Sequence, residues 1–184
     1  MKKYTNLFAV LEQVHCDFKE EYENLELFVY SIIAFAIPFI FSHPQILTGT
    51  IVNAFLILAA FRLRGLKVMP LVFLPSIAAF LNSILFGPFT FYLIYLMPFI
   101  WIGNFILIYV FKELYFIRKI NYWITASAAA ILKSVLIFSG AYIFSTFGIV
   151  PVILLSAMGV VQLLTAILGA ILSFLILSLY RLKL

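Results

Sequence analysis

Six long apolar stretches, at about 27–41, 45–63, 68–86, 91–111, 121–146 and 156–180, take up most of this chain, and each is bounded by a turn signal or by charge. A hydrocarbon core of about 30 Å takes ~20 apolar residues in helical form. Inside lipid a helix satisfies its backbone polar groups within itself. The pattern therefore predicts an all-α polytopic membrane protein with six transmembrane helices in one domain, 27–184, preceded by a cytoplasmic segment, 1–26. The first two stretches are short, and tilt or local thinning of the bilayer would accommodate them. Composition agrees: 66% of the residues are hydrophobic and 10% are charged, against roughly 25% charge in a soluble domain. That excludes a soluble globular domain, a disordered chain and a nucleic-acid binder, although the net charge is +5.

The bases set the orientation. Arg62, Arg64 and Lys67 lie in one connection, Lys112 to Lys119 in another, and Arg181 and Lys183 at the end of the chain. All three fall on one face. The connections on the other face, marked by Ser42-His43-Pro44, Gly87-Pro88 and Gly148, carry no Lys, Arg, Asp or Glu. The positive-inside rule places the basic face, with both termini, in the cytoplasm. Residues 148–158, with Pro151, either extend the last span outward or form a short interfacial helix capping the outer face.

The N-terminus has no pattern of a cleavable signal peptide, since acids follow Lys2 and Lys3. Apolar groups recur instead at helical spacing over 4–25 (Tyr4, Phe8, Leu11, His15, Phe18, Tyr22, Leu25). This predicts an amphipathic helix. Its polar face is acidic, with Glu12, Asp17, Glu20, Glu21, Glu23 and Glu26. Such a helix packs against the protein's own cytoplasmic loops or docks a basic partner. One cysteine, Cys16, and two distant histidines, His15 and His43, offer no disulfide framework and no metal site.

Polar residues inside the spans are the functional signal. Gln45 and Thr48 lie one helical turn apart at the outer start of the second span, and Gln162 and Thr165 repeat that spacing in the sixth. Asn53, Asn82 and Asn104 lie deeper. Such side chains serve as interhelical glue or line a pocket, and two Gln-x-x-Thr faces at one depth favour a shared polar pocket. Lys133 is the most informative residue. Counting from Tyr122 at 1.5 Å per residue, it sits roughly 16 Å into the membrane. A charge at that depth costs about 2.5–3.5 kcal/mol on insertion scales, and no acid lies in any span to pair with it. Its ammonium must meet carbonyls, water or an anionic ligand. Of the aromatic residues, Tyr92, Tyr95, Trp101 and Tyr142 are candidates to rim an outer cavity. Tyr30, Tyr122, Trp123 and Tyr180 read as interfacial belt residues. Pro38, Pro70, Pro75 and Pro98 predict kinks that free carbonyls beside cavities.

Hydrolytic and nucleotide motifs (H-E-x-x-H, G-x-S-x-G, G-x-x-x-x-G-K-[ST]) are missing from the sequence. No carboxylate chain crosses the membrane to relay protons. The expectation is a protein that is not an enzyme, needs no cofactor and has no energy source of its own.

Four stretches resemble the membrane-embedded substrate-binding subunits, the S components, of energy-coupling-factor (ECF) transporters. They are Gln45-Ile-Leu-Thr-Gly-Thr-Ile-Val-Asn-Ala54, Met97-Pro-Phe-Ile-Trp-Ile-Gly-Asn104, the Lys133 span and Gln162-Leu-Leu-Thr-Ala166. The likeness covers most of 28–181 and is to a poorly characterised branch of that family. It implies six helices in a prokaryotic plasma membrane and an outward site for a vitamin, precursor or metal ion. It also implies partners: a transmembrane coupling protein and cytoplasmic ATPases. It places substrate contacts at Gln45, Thr48, Asn53, Asn104, Lys133, Gln162 and Thr165. Many members carry Ala-x-x-x-Ala on the first span for docking the coupling protein. Here that span has Ala34-Phe-Ala36, and the spacing occurs instead at Ala126–Ala130 and Ala166–Ala170. The expected function is capture of a vitamin or other small nutrient for import, an anionic one where Lys133 supplies the counter-charge. The alternative is a structural or assembly subunit of a larger membrane complex, with the polar residues acting only as glue.

Overall fold

The computed structural model describes residues 6–14, 20–41, 44–82 and 87–179. The helices are α1 (Leu7–Leu11), α2 (Glu20–Ile40), α3 (Gln45–Arg62), α4 (Met69–Leu81), α5 (Leu93–Val110), α6 (Tyr122–Thr146), α7 (Leu154–Met158) and α8 (Val160–Leu179). Short 3₁₀ turns, Gly65–Val68 and Gly87–Tyr92, lead into α4 and α5, and Phe111–Ile117 continues α5 as a π-helix. Among the described residues there is no strand. Five helical stretches there are long and apolar enough to cross a membrane, and Gly65–Leu81 is a shorter apolar sixth. The chain is thus an all-α, multi-pass membrane protein. Its spans lie within a few residues of the six apolar stretches, except that α2 begins at Glu20, well before the first stretch.

The six spanning helices close into a ring in the order α2, α3, α8, α6, α5, α4, with α3 also touching α5 across the middle. The α3–α8 seam is the tightest. These helices run parallel, since Gly49 meets Thr165 and, one turn on, Gly169 meets Asn53. A Cβ on Gly169 would lie 2.6 Å from the Asn53 Cβ and 2.9 Å from the Ala54 backbone nitrogen. Small residues that bring backbones together are the usual basis of helix association in lipid, where no hydrophobic drive exists. The Ala-x-x-x-Ala pairs are spent in the same way: Ala126, Ala130, Ala166 and Ala170 are all buried.

Two apolar clusters fill the ring. The one near the basic end centres on Phe61, fully buried against Phe111, Tyr115, Phe116 and Tyr122. The other, near the uncharged end, gathers Leu93, Leu96, Met97, Ile137, Ala141, Val150, Leu154 and Met158. Residues 154–158 form α7, which packs in this cluster through Leu154 and Met158. Gly159 interrupts the helix before α8, and Leu154–Leu179 together make one apolar span.

The basic end differs from expectation in three ways. First, no single helix runs over 4–25. Helix α1 is capped by Asn6, whose Oδ1 accepts from the Phe8 amide at 3.2 Å. Residues 13–14 are not helical, and helix resumes at Glu20 as one continuous α2. The early end follows from the second difference. Lys112, expected in an exposed loop, is fully buried, and its Nζ donates to the Gln13 carbonyl at 2.5 Å and the Leu63 carbonyl at 2.8 Å. A Gln13 carbonyl turned toward that ammonium is not available to a continuing helix. Third, Tyr122 is not a belt residue. It is 3% exposed, donates to the Ala170 carbonyl at 2.7 Å and shares a hydrogen bond with Ser173.

Three acids of α2, Glu20, Glu23 and Glu26, are paired within the chain. Glu23 accepts from the Arg64 amide at 2.6 Å and from Lys67 at 3.1 Å, Glu20 lies 3.6 Å from Lys67, and Glu26 holds Arg62. This matches packing of the N-terminal segment on the protein's own basic connection. Gly65 has φ +53°, and a Cβ there would meet Glu12 at 2.7 Å. The positive φ calls for glycine, whereas the Glu12 carboxylate, at the end of a flexible side chain, can give way. Tyr4, His15, Cys16, Asp17, Phe18, Lys19, His43, Tyr180, Arg181 and Lys183 lie outside the described residues.

The α3–α8 seam generates a direct test. Gly169→Ala must push the two backbones apart, and overpacking of this kind costs about 1–3 kcal/mol. Thermal unfolding of the purified protein should show a lowered midpoint, and an unchanged midpoint would contradict the close approach.

Candidate functional site

Between the two apolar clusters lies the polar layer. Lys133 stands midway along α6 and is 2% exposed. Its Nζ donates to Asn53 Oδ1 on α3 at 2.5 Å and to Asn104 Oδ1 on α5 at 2.7 Å. Neither interface is reached by the side chain. These contacts are short, as expected when the donor is charged.

Both asparagines are held from behind. The Asn53 Nδ2 donates to the Gly49 carbonyl at 2.9 Å and to Thr165 Oγ1 at 3.2 Å, and Thr165 in turn donates to the Gln162 carbonyl at 3.1 Å. The Asn104 Nδ2 donates to the Val72 carbonyl on α4 at 3.0 Å. Each amide thus turns its NH₂ toward fixed acceptors and its oxygen toward the ammonium. The arrangement joins α3, α4, α5, α6 and α8 through one cation.

A cavity of about 90 Å³ adjoins this layer, and Gln45, Thr48, Asn53, Asn104, Lys133 and Gln162 all line it. Six of the seven residues singled out in the sequence therefore share one space. Thr165 does not line it but holds Asn53. Gln45 begins α3 and Gln162 lies in the first turn of α8, so both amides enter from the uncharged end. Both are half-buried, and neither side chain has a hydrogen-bond partner among the described residues. Thr48 plays a different part. It is buried, and its hydroxyl donates to the Phe41 carbonyl at 2.8 Å, tying the start of α3 to the end of α2.

Proline kinks shape the walls. Pro38 in α2 and Pro75 in α4 both line the cavity, while Pro98 faces a shallow outer groove beside Trp101. Ser76 is a lining residue the sequence reading missed. It donates to the Phe73 carbonyl at 3.0 Å and accepts from Trp101 Nε1 at 2.6 Å. A serine directly after a helix proline was the available signal. Trp101 thus braces the cavity from behind instead of rimming it, and Tyr92, Tyr95 and Tyr142 do not line it. Asn82 is not deep. It caps the end of α4 and donates to the Phe39 carbonyl at 2.5 Å.

Chemically, the site offers one cation, two amides without a partner among the described residues, and a small cavity. Among the described residues no three His, Cys, Asp or Glu side chains gather to hold a metal ion. No family model, curated protein or solved structure matches the chain.

The ammonium and its acceptors should behave as a unit. Asn104→Leu leaves a buried charge short of one acceptor and should cost about 1.5–3 kcal/mol, the range for hydrogen bonds to charged groups. Adding Lys133→Met removes that charge, so the double variant should unfold at a higher temperature than Asn104→Leu alone. Simple additivity of the two losses would contradict the coupling.

Proposed function

We propose that this chain is the substrate-binding subunit of an ECF-type importer, capturing a small anionic nutrient at the uncharged, outer end of the bundle. The observation that carries the reading is Lys133. It is a buried cation with no acidic partner in the membrane, set beside a cavity whose polar residues converge from α3, α5 and α8. Intramembrane ionisable groups are costly and by default mark a substrate or ion path. A concave site with few, convergent polar groups is the usual form of a small-molecule site.

In this reading the solute enters from the outer side. Gln45 and Gln162 replace its water, and the Lys133 ammonium supplies the opposite charge. Asn53 and Asn104 are positioning residues: they hold the ammonium still before the guest arrives, so little ordering is left to be done on binding. Thr48 and Thr165 keep α3 in register with α2 and α8. Turnover falls to partners, a transmembrane coupling protein and cytoplasmic ATPases, because the chain has no nucleotide-binding motif. The role is binding and not catalysis.

One observation favours the alternative of a ligand-free assembly subunit: both asparagines already find partners within the protein for their NH₂ and for their oxygen. Two measurements separate the readings. Native mass spectrometry of the gently purified protein should reveal a bound anionic small molecule, lost in Lys133→Met while the variant still unfolds cooperatively. Affinity purification from the native membrane should bring down a coupling protein and ATPases. A wild-type protein that is empty and travels with an unrelated membrane complex would favour the assembly role.

A further inference from the structure

The size and charge of this cavity restrict its guest more narrowly than the capture reading requires. Its volume is about 90 Å³. Sites that enclose a drug-sized molecule begin at ~300 Å³. The limit is built into the packing. Leu93 and Met158 form part of the cavity wall, and both belong to the outer apolar cluster, at 3% and 1% exposure. Enlarging the cavity on that side means dismantling the cluster that α7 completes.

Charge adds a second restriction. Lys133 is the one ionisable residue among the described lining residues. A guest with a single negative charge leaves the site neutral, whereas a dianion would bury an uncompensated charge, which is strongly unfavourable. Donor geometry adds a third. An ammonium has three N–H groups, and Asn53 and Asn104 take two of them. The remaining one, with the NH₂ groups of Gln45 and Gln162, makes a short donor set. A carboxylate presents two oxygens with about four lone-pair sites in one plane, and this set is of the right size to meet it.

We infer that the site takes a compact carboxylate monoanion, smaller than the molecules that ordinary small-molecule sites enclose. The inference rests on the proposed capture role and excludes the vitamin class from it. The Lys133–Asn53–Asn104 layer is the charge-recognition element, and the Leu93–Met158 wall is the size filter.

The test is calorimetric titration of the full chain in lipid nanodiscs with sodium acetate, sodium succinate and sodium octanoate. Acetate should bind, with succinate and octanoate each about tenfold weaker or worse. Lys133→Met should weaken acetate by about tenfold or more, a change of about 1.4 kcal/mol. Gln162→Leu, at a half-buried position that does not carry the fold, should also weaken acetate, and it keeps the test open if Lys133→Met fails to fold. Octanoate or succinate binding more tightly than acetate, with dependence on Lys133, would overturn the size or charge restriction and leave the capture role standing. No binding of any of the three, with a larger anion found in the purified protein by native mass spectrometry, would overturn the restriction alone. No binding and no guest would overturn both.

Discussion

An ammonium group held by two amide oxygens at hydrocarbon depth determines how five of the helices must sit. Lys133 carries the one formal charge between residues 120 and 179, and burying it without solvation is costly. Asn53 and Asn104 replace the lost water, but only because Thr165, Gly49 and Val72 fix their NH₂ groups. The close α3–α8 seam follows from the same need. Only where Gly49 and Gly169 let the backbones approach can Asn53 reach Thr165 on one side and Lys133 on the other. Stability and function meet in this layer, since the groups that make the cation tolerable also present it to a cavity.

The basic end solves a similar problem differently. Lys112 is as deeply buried as Lys133, but its acceptors are backbone carbonyls of Gln13 and Leu63, with acids close by. There the charge clamps the N-terminal segment to the ends of α3 and α5, next to the Glu20, Glu23 and Glu26 pairs. Among the described residues no cavity with free amides adjoins it. That contrast is why the recognition role is proposed for Lys133 and not for Lys112.

Much of this was legible in the sequence, for identifiable reasons. Span positions follow from apolar length and from charge at the connections, which act locally, and the observed helices match them closely. The Lys133 site was legible because a charge or amide in lipid must find a partner, and few such groups exist in this chain. What could not be read depends on three-dimensional neighbours. Lys112 sits among loop residues in sequence, and only the fold of the N-terminal segment over it makes it buried. The break after α1 depends on that same contact. Tyr122 has the sequence context of an interfacial residue, yet Ala170 and Ser173 lie beside it in the bundle. The cavity's small volume reflects how Met158 of α7 packs with Leu93 in the outer cluster, which apolar periodicity does not encode. The Ala-x-x-x-Ala spacings on α6 and α8 are consumed by internal packing, so the proposed ECF role rests on the polar layer.

The most direct test of the central claim is the proton exchange of the Lys133 ammonium, measured by nitrogen-15 NMR on lysine-labelled protein in nanodiscs. The resonance that disappears in Lys133→Met should exchange slowly with water and shift when Asn53 is replaced by leucine. A Lys133 resonance that exchanges as fast as that of exposed Lys119, and is indifferent to Asn53, would contradict the account.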